Sequence, residues 1–443
     1  MTGRLMMSGE LLLDGVDLAH AAPRRIGTLI AHEGQVLEAE GLDQPLGTNV
    51  QIATSQGGSV RGEVVGFHAR RSLIQSFDND APFAAGAAVT PMGQGGQVAC
   101  GHGLLGRVID AHGAPLDGRP PVSTRYTWPL AGKRSNLLNR GRVVTPFDVG
   151  VRAIDALLTM GEGQRVALVA GSGVGKSVLM GQMLAGVDCD VVVIGLIGER
   201  AREVSDFVET KLDARLRPRA VVVAVPADHP PLLRIRAAMR ATAIAEFFRH
   251  EGKRVFLMID SLTRVAHAQR EIGLALGEPP TMKGYPPSAL ALIPRLIERA
   301  GADRDTGGSI TAVYTVLADG GDNDDPVVDS ARAIVDGHFI LSRHLAEQGV
   351  YPAIDIARSL SRTMVDVIDE DHLAAAARFR QLWAAYEENR DLVMMGAYVA
   401  GSDPVVDLAI SRRTDMTGFI AQPRHQQVDY NTARAQLIEG FGA

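Results

Sequence analysis

Cysteine is nearly absent from this sequence: Cys100 and Cys189 are the only two in 443 residues. Two thiols make neither a zinc site nor a disulfide framework, and they point to free thiols in a reducing compartment. No apolar run approaches the ~18 residues that a membrane-spanning helix needs. The opening stretch MTGRLMMSGELLLDG (1–15) carries acidic residues and lacks a signal-peptide core with a cleavage site, so a cytoplasmic protein is expected. Peripheral contact with a membrane stays open. A basic surplus is missing too: 45 Lys and Arg face 51 Asp and Glu, a net charge of −6. That balance argues against a dedicated nucleic-acid binder, leaving room only for a local basic channel. Internal repeats and low-complexity segments are also lacking.

What is present reads as an ordinary globular chain, 46% apolar and 22% charged. Its length exceeds one compact core, so two or three domains are expected. Residues 1–92 hold short β-prone runs, RIGTLIAHEGQVLEAEGL, NVQIATS and RGEVVGFH, whose even spacing suggests a small barrel. PMGQGGQVACGHG (91–103) is glycine-rich and reads as a linker. Across 93–365, apolar runs alternate with helical segments: RVALVAG, DVVVIGLIG, AVVVAVPA, RVFLMIDS and SITAVYTVL. Such uniformly apolar, β-branched runs suit a parallel sheet covered on both faces. Residues 366–443 carry little strand signal. There Phe379, Leu382, Trp383 and Tyr386 recur on one helical face, the core stripe of a helical domain.

The chemistry begins at VALVAGSGVGKSVLMGQM (166–183). AGSGVGKS (170–177) fits the phosphate-loop pattern GxxxxGK(S/T) except that Ala170 replaces the first glycine. Gly171, Ser172, Gly173, Val174 and Gly175 form a loop whose backbone N–H groups can turn toward a phosphate. The following helix, through Lys176, Ser177 and Val178, presents its positive end to the anion. Lys176 is expected to reach the β- and γ-phosphates of ATP, and the Ser177 hydroxyl to hold Mg²⁺. RVFLMIDS ends a second strand at Asp260, a carboxylate suited to the same magnesium. A third strand runs into GLIGERAREVSDFVE (195–209). Here Glu199 suits polarising an attacking water, Arg200 neutralising the γ-phosphate, and Glu203 joining the magnesium's water shell. From these residues alone, a solvated charged helix start reads equally well.

Together these segments resemble the hexameric F/V-type ATPase catalytic family, and within it the flagellar and type III protein-export ATPases. The likeness runs from LLGRVIDAHGAPLDG (104–118) to GAYVAGSDP (396–404). It is most specific in DSLTRVAHAQREIGLALGEPPTMKGYPPSALALIPRLIERAG (260–301). GSGVGKSVLMGQM and DPVVDSARAIVDGHFILSR look more flagellar than injectisome-like. The resemblance implies an α/β fold: an N-terminal β-barrel, a RecA-like phosphate-loop domain and a C-terminal helical domain, assembled as a homohexamer with nucleotide at subunit interfaces. It implies an ATP hydrolase, converting ATP and water to ADP and phosphate to support chaperone release, unfolding and delivery of export substrates. By position it makes Glu199 the catalytic base and puts Arg200 and Arg264 around the γ-phosphate. Tyr351 in GVYPAID becomes the aromatic stacked on adenine, and Arg362 in SLSR the arginine finger offered to a neighbouring subunit. Without the resemblance, Arg362 reads better as a salt-bridged surface arginine and Tyr351 as core packing.

Implied partners are a stator-like regulatory protein, a central coiled-coil stalk, the export gate and chaperone–cargo complexes, at the inner face of the bacterial cytoplasmic membrane. No specific nucleic acid is expected. The usual amphipathic helix for the stator-like partner is not evident in LMMSGELLLDGVDLAH (5–20). Arg358 and Thr363 depart from the family pattern on either side of the finger, where small and apolar residues are expected. GEPPTMKGYPPS (277–288) reads as a loop, with Ser288 as N-cap of the next helix, Pro294 as a kink and Gly301 as its stop. In the resembling hexamers this loop faces the central pore, where it touches a stalk or cargo or merely shapes the subunit contact. DGGDNDDP (319–326) lacks the spacing of a calcium loop and reads as solvated. The competing readings are a non-catalytic nucleotide-binding subunit, a RecA-like nucleic-acid translocase, an injectisome ATPase and a rotary ATPase catalytic subunit.

Overall fold

Alternation builds the first unit. In strand Thr48–Ala53, Val50 and Ile52 are buried while Gln51 between them is exposed, the period of a half-buried strand. A computed structural model describes residues 25–133, 136–318 and 325–442. In it six antiparallel strands close into a barrel in the order Gly27–Glu33, Val36–Glu40, Arg71–Ser76, Ser59–His68, Thr48–Ala53 and Ala88–Gln94. Leu29, Leu37, Val50, Ile52, Val64, Ile74 and Val89 fill it. Closure leaves no unpaired strand edge. Residues 5–20, where a partner helix was sought, lie outside the described residues, as do 319–324 of the acidic run.

The stretch 91–103 is not a linker. Ala88–Gln94 is the strand that closes the barrel, and Gln97–Cys100 pairs with Tyr126–Pro129. The chain divides into two compact units after Gly95. Gly93 adopts φ 95° where the pairing register shifts, so its glycine serves an irregular strand rather than a loop. In Gln97–Cys100 the buried Val98 and Cys100 alternate with exposed neighbours, a pattern too short to stand out from the surrounding glycines.

The second unit is built on a nine-stranded sheet. Its order is Leu360–Ser361, Gly337–Ile340, Arg165–Ala170, Ser309–Leu317, Arg254–Asp260, Val191–Ile197, Ala220–Val225 and Arg107–Ile109, with Gly301–Ala302 paired beside Ser309–Leu317. Pairing is parallel from Gly337–Ile340 through Arg107–Ile109. All seven residues of Val191–Ile197 and all six of Ala220–Val225 are buried, which is why these runs are apolar without alternation. Helix Pro287–Ile297 begins one residue before the expected cap: Pro286 takes the N-cap place and Pro287 the first turn. Ser288 instead donates its amide and hydroxyl to the Glu278 carboxylate, at 2.9 and 2.5 Å. The helix runs on past Pro294 and ends at Ile297, while Gly301 opens the short strand.

After Asp369, whose carboxylate caps the amide of His372, helix Glu370–Met394 carries the aromatic stripe. Phe379, Leu382 and Trp383 are buried and Tyr386 packs against the same core, joined by Phe419 and Phe441 from later helices. The Phe379 ring lies 4.8 Å from Phe441 and 5.5 Å from Phe419. This aromatic cluster is continuous with the apolar residues beneath the strand Arg165–Ala170. Phe379→Ala is therefore expected to cost about 3–5 kcal/mol in urea unfolding of the second unit. A loss below about 1 kcal/mol would show that the stripe does not hold the C-terminal helices to the sheet.

Candidate functional site

Parallel strands bring their carboxyl ends to one edge, where ligands of α/β sheets bind. Three strand ends meet there: Ala170, Asp260 and Ile197, with Leu196 in register with Asp260. The first turns through Gly171–Gly175 into helix Lys176–Gly186. Gly173 at φ 78° and Gly175 at φ 97° hold backbone conformations that other residues resist. Val174 is buried and anchors the loop, while Ser172, Ser177 and Val178 are exposed around it. A β-carbon on Gly175 would lie 3.2 Å from Cε1 of Tyr351, so that ring rests on the loop itself.

Lys176 Nζ donates to Asp260 Oδ1 at 2.5 Å and to Glu199 Oε1 at 3.3 Å. Thr315, fully buried on the intervening strand, also donates its hydroxyl to Asp260 Oδ1, at 2.5 Å. Burial works against the Lys176 ammonium, but the Asp260 and Glu199 carboxylates outweigh it and hold its pKa above the ordinary lysine value. Burial also pushes the Glu199 carboxyl up; Lys176 opposes that shift and Asp260 adds to it. Lys176, Glu199 and Asp260 thus form one ionic cluster.

Arg264 joins them from helix Leu262–Ala275. Its side chain runs over Gly198, where an added β-carbon would meet Arg264 Cβ at 2.8 Å, and its buried Nε has no hydrogen-bond partner. Arg200 and Glu203 pair with each other at 3.2 Å, with side-chain exposures of 86% and 51%; Arg200 faces outward beside the cluster, while the Glu203 carboxyl also hydrogen-bonds Glu199 and helps to push its pKa up. Arg362 is not brought to this place. Its amide donates to Asp336 O, and Asp336 in turn bonds Arg165, the first residue of the strand that leads into the phosphate loop. Lys176 follows the far end of that strand, which at ~3.3 Å per residue is roughly 15–20 Å away. The exposed Arg362 guanidinium therefore lies at the end of the sheet opposite its own Lys176.

Three contributors carry no motif. Thr315 is one polar residue in an apolar strand run, a faint signal in itself. Gln182, on the phosphate-loop helix, donates to the carbonyls of Gln422 and Pro423 at 3.5 and 3.3 Å. Gln422 donates its amide to Tyr351 O at 2.8 Å, and its side chain donates to Gly150 O and accepts from the Arg152 amide. These buried glutamines tie the phosphate-loop helix, the Tyr351 backbone and the C-terminal helices into one network, and nothing in local sequence announces them.

The residues fit a nucleotide with its magnesium. Among the described residues no group of three or more His, Cys, Asp or Glu could hold a metal alone. That agrees with Mg²⁺, which takes one or two carboxylates and completes its shell with phosphates and water. Asp260 has one oxygen outside its bonds to Lys176 and Thr315, and the exposed Ser177 hydroxyl is a second hard donor. The orphaned Arg264 Nε and the open glycine loop suit phosphate oxygens.

Comparison with known proteins agrees. Residues 150–361 match the nucleotide-binding domain of the ATP synthase alpha/beta family, and 368–439 match the type III secretion EscN ATPase C-terminal domain. The flagellum-specific ATP synthase of Salmonella typhimurium is 50% identical over 426 residues, covering 94% of this chain and 93% of that protein. The flagellum-specific ATP synthase of Pseudomonas aeruginosa is 48% identical over 420 residues, with the same shares covered. The type 3 secretion system ATPase of Xanthomonas euvesicatoria is 44% identical, covering 93% of this chain and 92% of that one. Among solved structures, the assembled ATPase EscN of enteropathogenic E. coli matches with a TM-score of 0.89 at 38% identity, over 94% of this chain and all of that one. The chain belongs to the ATP synthase alpha/beta family, within its group of flagellum-specific and type III secretion ATPases.

Proposed function

We propose that the protein is the ATP hydrolase of flagellar protein export and works as a homohexamer whose active sites are shared between neighbouring copies. The observation that carries this reading is the separation of its parts. Lys176, Glu199 and Asp260 meet at one end of the sheet, and Arg362 stands at the other. A finger that cannot reach its own γ-phosphate serves a second copy, and the EscN structure this chain resembles is of the assembled ATPase. Two flagellar relatives, at 50% and 48% identity, exceed the 44% of the Xanthomonas secretion relative, while the flagellar relative of Bacillus subtilis stands at 43%; the first two favour the flagellar role.

In the proposed mechanism, the amides of Gly171–Gly175 and Lys176 hold the β- and γ-phosphates of ATP, and the Tyr351 ring stacks on adenine. Ser177 and Asp260 would hold Mg²⁺, which would supply positive charge to the phosphates, and Glu203 would bond water beside it. Glu199 orients and deprotonates the attacking water. Arg264 stabilises charge on the γ-phosphate oxygens from the same copy, Arg200 turns inward to join it, and Arg362 does so from the neighbour. Supporting partners are a central stalk, as in the EscN–EscO complex, a stator-like regulator, the export gate and chaperone–cargo complexes at the membrane's inner face. The exposed Met282 in the loop 277–288 offers the stalk an apolar contact.

Specific ATPase activity is expected to rise cooperatively with protein concentration, and Arg362→Ala to lose about 10³-fold in kcat while still binding ATP and assembling. Activity that is constant down to clear monomer, or unaffected by Arg362→Ala, rejects the shared site. Glu199→Gln should bind MgATP yet abolish turnover, whereas Lys176→Ala should weaken binding as well; a Glu199→Gln protein with normal turnover removes Glu199 as the base. The pH profile gives a further check. Glu199 must be ionised to act, and burial raises its pKa, so kcat/KM should climb with pH through an acid limb above the ordinary glutamate value of 4.5. An acid limb at or below that value would mean Glu199 does not gate the reaction.

A further inference from the structure

Arg358 breaks the family pattern, and the fold gives it a place of its own. Strand Leu360–Ser361 runs antiparallel to Gly337–Ile340, with Ser361 opposite Gly337 and Leu360 opposite His338. Stepping back from Leu360 therefore leads toward the carboxyl end of Gly337–Ile340, the edge that carries the phosphate loop. Arg358 arrives there, while Arg362 stays at the opposite end. The backbone at Arg358 is pinned on both sides: its amide donates to Asp355 Oδ1 at 3.1 Å, and its carbonyl lies 3.2 Å from His338 Nε2.

A cleft of about 170 Å³ opens at this position. Val174 and Ile340 give it apolar walls, and Gly171, Ser342, Arg343 and Arg358 line the rest. Arg343 Nη2 lies 4.0 Å from where a β-carbon on Gly171 would stand, so one guanidinium reaches the phosphate loop from its flank. Among the described residues no carboxylate lines the cleft, and neither guanidinium has an acidic partner. The nearby Asp355 is engaged with a backbone amide. Both guanidiniums are solvent-exposed and line the same recess, where their planar forks match an oxyanion. The volume is several times the ~30 Å³ share of one water, enough for a tetrahedral oxyanion.

We propose that Arg343 and Arg358 form a second oxyanion site that takes inorganic phosphate, separate from the Lys176 site and sharing with it the wall at Gly171. The binding stands on the cleft alone. Its role, holding product phosphate beside the loop that releases it, rests on the hydrolase reading above.

The test is calorimetric titration of inorganic phosphate into the full chain saturated with MgATP analogue that cannot be hydrolysed. Wild type is expected to bind phosphate saturably under these conditions, with sulfate competing and chloride at equal ionic strength not competing. Arg343→Ala and Arg358→Ala should each weaken binding by about tenfold or more. Arg378→Ala, which removes the same charge from the exposed face of a C-terminal helix, should leave it within about twofold. Lys176→Ala without analogue should retain it. The proposal is overturned if the analogue abolishes phosphate binding, if Lys176→Ala does, or if both cleft substitutions leave it intact. A wild type that binds phosphate as expected yet never hydrolyses ATP would support the site and reject the hydrolase reading, so the two failures are distinguishable.

Discussion

A buried ammonium needs a counter-charge, and the nucleotide site is organised around meeting that need for Lys176. Its side chain is only 13% exposed, and two carboxylates of 14% and 7% exposure supply the charge. Removing both would leave an uncompensated ammonium in a partly desolvated space. The same pairing prepares the site for ligand. In the proposed function, phosphate oxygens would replace the carboxylates around Nζ, freeing Asp260 for a metal and Glu199 for a water. The position of all three groups follows from sheet register, because Leu196 is paired with Asp260 and Ala170 ends beside the strand bearing Thr315. A slip of one residue in either strand would turn these side chains away.

Strand length then divides the work between copies. The strand Arg165–Ala170 has Lys176 after one end and Asp336, with Arg362 bonded to it, at the other. One copy cannot fold the finger back over its own phosphate without breaking the sheet edge. In the proposed shared site, hydrolysis would be tied to assembly by a rigid spacing rather than by a flexible switch. Arg358 and Arg362 belong to one short segment but serve opposite edges, since the antiparallel edge strand carries them past the full width of Gly337–Ile340.

What could be read from sequence divides along physical lines. The phosphate loop was legible because its glycines, lysine and serine must stand at fixed offsets. The five main strands were legible because a sheet covered on both faces demands continuous apolar runs, and the stripe through Phe379 because a helix with one buried face repeats every three or four residues. Strands Ala88–Gln94 and Gln97–Cys100 were hidden because barrel closure and a short pair need little apolar content, and their glycines imitate a linker. Ser288 was misplaced because Pro286 and Pro287 set the helix start, while Glu278 captures the serine from ten residues away. Thr315, Gln182 and Gln422 act through partners distant in sequence, and no local pattern encodes such partners. Arg358 was visible as an exception, but only the edge-strand register shows which cleft it enters.

The network at Gln422 links the chemistry to the C-terminal helices. Its amide holds the carbonyl of Tyr351, its own carbonyl accepts from Gln182 on the phosphate-loop helix, and its side chain spans Gly150 and Arg152. Arg152 continues the chain of contacts to the carbonyls of Phe419, Gly418 and Ala421. Apart from the exposed Gly418 contact, each group is buried or half-buried, so a displacement at one end either carries its partners along or strands a polar group without a bond, at about 1–3 kcal/mol each. The stiffer outcome is the cheaper one. A nucleotide that moves Tyr351 or the phosphate-loop helix must therefore move the helices after residue 404 with them. Force applied to those helices by a partner would return to Tyr351 and the phosphate-loop helix by the same route, because coupling between two sites is reciprocal.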